Sequence, residues 1–145
     1  MPTFALAPEQ TETEKVILAE KYFTVTHNIS ENWLYCKWKG ERTAEKLIKG
    51  AEQLLECVKT TGCRKLINDS SELAQSVPDL VDWIAVNFAP RLQEAGIQYF
   101  AWIYNDQNKI KNFADSVLSK EKSDILVMVF DNLKTAEIWL GSVQK

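Results

Sequence analysis

The sequence predicts an α/β domain: a mixed sheet of about five strands, antiparallel at its N-terminal end and parallel later, with about four helices. Three observations carry that class. Early in the chain, Tyr22-Phe23-Thr24-Val25-Thr26 and Trp33-Leu34-Tyr35-Cys36-Lys37-Trp38 are rich in β-branched and aromatic residues and flank the turn-forming Asn28-Ile29-Ser30-Glu31-Asn32. After Gly40 the apolar residues switch to the three-and-four spacing of a helix. From there helical segments alternate with short strands that are apolar on both faces, at 99–104 and 125–130. A sheet covered by crossover helices needs such strands.

The elements follow in order. Residues 1–15 include Ala7-Pro8-Glu9-Gln10-Thr11-Glu12-Thr13-Glu14, polar and aperiodic, and read as a loose leader to a single domain over 16–145. Val16-Ile17-Leu18 and residues 22–26 are extended, and with 33–38 they suggest an antiparallel hairpin closing at Gly40. In the first helix Ala44, Leu47, Ile48, Ala51, Leu54, Leu55 and Val58 share one face, opposite Glu45, Lys46, Lys49, Glu52 and Glu56. Gly62 ends it in the left-handed role of a helix terminus. A short strand, Lys65-Leu66-Ile67, then runs into an acidic, hydroxyl-rich loop, Asn68-Asp69-Ser70-Ser71.

Ser76 caps the next helix in this reading, with Pro78 in its first turn and Asp79 three residues after the cap. Leu80, Val81, Ile84 and Phe88 share one side of that helix. Pro90 is expected to kink or break it near Phe88 because proline supplies no backbone donor, and Gly96 marks its end. Ile110, Phe113, Ala114, Val117 and Leu118 form a short amphipathic helix, and Asp131 is expected to cap a last one carrying Leu133, Ala136, Trp139 and Leu140.

Composition narrows the function. A chain of 145 residues with 46% hydrophobic and 26% charged residues can bury a core and fold. A net charge of −3 argues against nucleic-acid binding, which needs a basic face. Lys109, Lys111, Lys120 and Lys122 are interleaved with Asp106, Asp115, Glu121 and Asp124, the pattern of a solvated mixed-charge face. Cys36, Cys57 and Cys63 are odd in number and lack C-x-x-C spacing, which indicates neither a disulfide framework nor a zinc site. Met1-Pro2-Thr3-Phe4-Ala5 shows no basic segment before an apolar run, and no apolar run approaches the roughly 20 residues of a membrane span. The expectation is a cytoplasmic protein with no integral membrane association.

The order of elements, with Trp38-Lys39-Gly40 before the first helix, Lys65-Leu66-Ile67-Asn68-Asp69 in the third strand, Ala89-Pro90 with Gly96, Phe130-Asp131, Ala136 and Trp139-Leu140, resembles the STAS fold of anti-sigma-factor antagonists. It is more similar still to the small bacterial STAS-like proteins grouped with them. The resemblance covers nearly everything after residue 16. It implies a regulatory protein-interaction module, in which a serine or threonine at the start of the second helix, inside an Asp-Ser-x-Gly motif, is a phosphorylation switch. Asp69-Ser70-Ser71-Glu72 resembles that motif, but its serines directly follow the strand and Glu72 replaces the glycine. By position Ser76 is the better equivalent. STAS-like folds also resemble the SEC14 lipid-transfer type, although 145 residues leave little room for a large lipid cavity.

The expected partner-facing edge is therefore Asp69, Ser70, Ser71, Ser76 and Asp79, with Ser76 the candidate phosphoacceptor. A phosphate at a helix N-terminus would meet unpaired amides and a favourable dipole; a plain N-cap is the commoner role for such a serine. Asp69, Asp106 and Asp131 sit past strand ends and could hold a hard cation, but local capping accounts for them more simply, and no metal or cofactor is expected. His27 has no partner for catalysis or metal binding. The aromatic residues outnumber one row of core positions, and with the helices mainly on one side the other sheet face needs the N-terminal segment, a second copy or a ligand. Trp83, Trp102 and Tyr104 are the expected contacts for an apolar ligand or a homodimer.

The leading expectation is thus a non-catalytic regulatory or protein-interaction module with a protein partner. A carrier for a small apolar ligand is the alternative. An enzyme ranks last, since no acid/base pair, nucleophile-base pair or glycine-rich phosphate loop is readable.

Overall fold

The computed structural model describes residues 13–74, 77–104 and 110–143. Its strands run β1 (Glu14–Glu20), β2 (Phe23–Asn28), β3 (Trp33–Gly40), β4 (Lys65–Leu73), β5 (Tyr99–Ile103) and β6 (Leu126–Phe130), and they lie side by side in chain order. β1, β2 and β3 pair antiparallel, whereas β3 to β6 pair parallel. The mixed sheet, antiparallel first and parallel later, is the one expected. It has six strands because 16–18 and 22–26 are two strands of a meander. Glu20 pairs with Phe23 across the two-residue turn Lys21-Tyr22, which lacks the Asn-Gly or Gly-Gly signature by which such turns are recognised.

Each parallel connection carries a helix: α1 (Ala44–Thr61) between β3 and β4, a helical run ending in α2 (Ala89–Ala95) between β4 and β5, and α3 (Lys111–Lys120) between β5 and β6. Crossovers are right-handed, so three of them stepping in the same direction place their helices on the same side of the sheet. The packing follows: Phe23, Val25, Leu34, Cys36, Trp38, Leu66 and Trp102 of the sheet form one core with Leu54, Leu55, Val58, Phe88, Leu92, Phe113 and Val117 of those helices. On the opposite face lies the last helix, α4 (Leu133–Ser142), whose Ala136 and Leu140 pack on Trp33, Ile67, Ala101 and Ile103, while Leu126 and Met128 of β6 stay exposed. That helix takes up part of the face for which the sequence calls for a leader, a second copy or a ligand.

Caps explain where the helices begin and end. Thr43 accepts the Lys46 amide at 3.2 Å at the start of α1, and Gly62 ends it at φ +69° with its amide bonded to the Val58 carbonyl. The cap of α4 is Asn132, which accepts the Thr135 amide at 3.0 Å. Asp131, the residue expected there, instead accepts from Asn132 Nδ2 at 2.7 Å. The end of α4 is closed from below by Lys65: its ammonium, on a residue only 3% exposed, donates to the carbonyls of Leu140 at 2.5 Å and Val143 at 3.4 Å. A cation there complements the helix dipole.

One local expectation changes, and another takes a particular form. Asn68, Asp69, Ser70 and Ser71 lie within β4 and form no loop, since the parallel ladder continues from Lys37↔Asp69 to Gly40↔Leu73 with one irregularity. The second helix changes its winding near Phe88, just before Pro90, where the sequence places a kink or break. It starts with a tight 3₁₀ turn at Pro78–Leu80 and widens to a π turn at Trp83–Phe88, where the Ala89 amide reaches back to Ile84, before finishing as α2. A proline ring collides with the carbonyl four residues before it; the wide turn takes that carbonyl, on Val86, out of the way. The cap position of the first turn is Val77, with no side-chain cap bond. Ser76, Asp106, Lys109 and the leader up to Glu12 lie outside the described residues.

Candidate functional site

Beneath the crossover helices the core is not completely filled. A cavity of about 110 Å³ lies between the sheet and all three helical connections. Its floor is Trp38 of β3, Asn68 and Ser70 of β4, Phe100 and Trp102 of β5, and Val127 of β6. Its roof comes from Leu47, Ala51 and Leu54 of α1, Trp83, Ile84 and Phe88 of the π turn, Ala89 and Leu92 of α2, and Phe113, Val117 and Leu118 of α3.

Sequence features account for the space. Ala51 and Ala89 contribute only small side chains to the lining, beside Trp83, Ile84 and Phe88 of the π turn. Trp38 cannot fill the gap because its ring stacks on Phe23, with centroids 3.9 Å apart, and presses against Gly50 of α1. At the sheet edge the lining is only half-buried at Phe100, Leu118, Val127, Glu121 and Ser123, which marks the mouth.

The floor carries polar groups of its own, and they form a chain. Trp38 Nε1 donates to Asn68 Oδ1 at 2.8 Å, and Cys36 Sγ donates to the same oxygen at 3.0 Å. Asn68 Nδ2 reaches Ser70 Oγ at 3.4 Å, and Trp102 Nε1 donates to Ser70 Oγ at 3.1 Å. Burial pushes the Cys36 thiol well above its ordinary range, so it stays protonated.

The residues expected to form one partner-facing edge are split by the two-residue period of β4. Ser70, 3% exposed, faces the crossover helices and meets Trp102. Asp69, 5% exposed, accepts Tyr35 Oη at 2.5 Å, the Ser71 amide at 2.9 Å and Ser71 Oγ at 2.6 Å. Burial, and then that hydrogen bond to Asp69, push the Tyr35 hydroxyl far up. Ser71 and Asp79 are exposed, as is Glu72, which pairs with Lys37.

Of the three aromatic residues expected to meet a ligand or a second copy, Trp83 and Trp102 line the cavity together. Tyr104 supports Trp102 edge-on, at 5.6 Å between ring centroids, and donates to Asp115 at 3.0 Å. Trp38, Asn68 and Phe100 were missed. The available signal was Asn68 itself, a primary amide directly after the apolar Leu66-Ile67 of a central strand. Among the described residues no group of three His, Cys, Asp or Glu is placed to hold a metal, and no helix is long and apolar enough to cross a membrane.

Fold and site together define a mixed α/β domain with an apolar cavity under its crossover helices. No family model matches the sequence, and no curated protein matches it. Among solved structures the chain is similar to SiaC of Pseudomonas aeruginosa, with a TM-score of 0.44 and 13% identity, over 81% of this chain and 98% of that one.

Proposed function

We propose that this chain is a non-catalytic binding domain that holds a small apolar ligand in the cavity between its sheet and crossover helices. The cavity is the observation that carries the reading. Protein interiors pack as densely as organic crystals, and voids larger than a water molecule are few. A space of about 110 Å³ walled by Trp38, Trp83, Phe88, Phe100, Trp102 and Phe113 is what an apolar guest requires. The π turn that forms part of the wall adds support, since such turns recur at functional sites. Enclosure between three helices gives the ligand a site that a flat surface could not.

The test uses protein purified from its own cells. Solvent extraction and mass spectrometry are expected to find a neutral compound in constant ratio to protein, and benzene added to stripped protein is expected to raise its Tm. Ala89→Leu, which fills the cavity from α2, abolishes both. Clean extracts from several preparations, together with no shift by benzene, overturn the proposal.

Contact with a protein partner is the second reading, favoured by the exposure of Ser71 and Asp79 at the end of β4 and the start of the helical run. In that reading Ser76 is the phosphoacceptor and Asp69 and Ser70 hold the edge in place from inside. A pull-down compared between wild type and Ser76→Asp tests it, and an unchanged set of bound proteins removes the switch.

A further inference from the structure

The floor of the cavity restricts its guest further, given that the ligand-binding reading holds. We propose that the ligand is a neutral molecule of about one ring that carries a hydrogen-bond acceptor, received by the side-chain amide of Asn68.

The orientation of that amide follows from its neighbours. An indole N–H only donates, so the Asn68 atom 2.8 Å from Trp38 Nε1 is the oxygen. The NH₂ group must then point the other way, along the floor. A primary amide nitrogen carries two N–H groups. One makes a long bond to Ser70 Oγ at 3.4 Å, and the other has no acceptor among the described residues. Asn68 is also only half-buried, although it sits mid-strand with β3 on one side and β5 on the other, and it lines the cavity. That leaves a donor at the cavity floor able to take a further acceptor, and a ligand acceptor supplies one.

Size and charge set the remaining limits. An engineered cavity of about 150 Å³ takes up benzene; the smaller space here, about 110 Å³ with its mouth at the sheet edge, limits the guest to about one ring. Among the described lining residues there is no Lys, Arg or His, and the one ionisable side chain is the acidic Glu121 near the mouth. A carboxylate guest would enter without a counter-charge, which an apolar site does not tolerate.

Three probes of similar shape separate these terms: benzaldehyde, styrene and benzoate. Titrated into ¹⁵N-labelled protein, benzaldehyde is expected to move the Asn68 side-chain NH₂ resonances and styrene to leave them in place. After correction for each compound's partition between water and oil, benzaldehyde is expected to bind about tenfold tighter, the worth of one hydrogen bond. Benzoate is expected not to bind. Asn68→Asp keeps an oxygen for Trp38 and removes the donor, so the preference for benzaldehyde disappears in it. Equal corrected affinities with Asn68 unmoved, or tighter binding of benzoate, overturn the acceptor assignment and leave the cavity reading standing. Binding of none of the three overturns both.

Discussion

Gly50→Ala sets helix propensity directly against packing, and the structure says which wins. Gly50 is buried in α1, where alanine is worth about 1 kcal/mol more than glycine. A Cβ at this position would lie 2.7 Å from Trp38 Cη2, 2.8 Å from Cζ3 and 3.4 Å from Phe23 Cδ2. The first two are closer than carbon atoms approach, so the indole has to move. Its stack on Phe23 and its bond to Asn68 oppose that movement. Overpacking costs about 1–3 kcal/mol, and stretching the indole hydrogen bond adds about 1 kcal/mol.

Subtracting the propensity gain leaves a loss of about 2 kcal/mol, or about 6 °C in Tm for a chain of this length. Trp38 also lines the cavity, so a displaced ring is expected to change the uptake of benzene as well. Urea unfolding followed by tryptophan fluorescence measures the first effect and benzene-dependent Tm the second. A variant as stable as wild type, or more so, would refute the reasoning, because Trp38 would then have room that the structure denies it.

Lys65→Met removes the ammonium from the end of α4 and is expected to cost about 1–3 kcal/mol; hydrogen exchange should show the loss of protection concentrated in residues 133–142, and a uniform loss would contradict the capping role. Alkaline pH gives a second expectation. Tyr35 and Tyr104 are both pushed above the ordinary 10.0, chiefly by burial. Above that pH the unfolded chain gives up these protons while the folded chain keeps them, so stability present below pH 10 falls as pH rises further. Unfolding by base is expected to coincide with the appearance of the phenolate absorbance of these two tyrosines, and Tyr35→Phe is expected to flatten the fall; phenolate absorbance well before unfolding would contradict it.

The sequence showed the fold class through features that are local. The face formed by Ala44, Leu47, Ala51, Leu54, Leu55 and Val58 needs only helical spacing, and α1 spans those residues. The apolar runs at 99–104 and 125–130 need only to be short and uninterrupted, and β5 and β6 fall within them. Gly62 and Gly96 end their helices with positive φ, as local chemistry requires. The Lys21-Tyr22 turn escaped notice because its residues carry no turn signature. The polar run from Asn68 to Ser71 resembled a loop because its bonds go to residues far away in sequence, among them Tyr35, Trp38 and Trp102.

What the sequence determined by itself is a sheet with an antiparallel start, parallel later strands and helical crossovers, because hydrophobic period and chain-terminating residues act within a few positions. Only the tertiary structure decided which side of β4 each polar residue serves, and that side separates Asp69 from Ser70. It also decided that three crossovers share one face, that α4 packs on the other, and that Trp38 lies between Phe23 and the side-chain-free Gly50 beside an unfilled space. These depend on steric fit between elements distant in sequence. The cavity is the remainder of that fit, and no single segment of the chain encodes it.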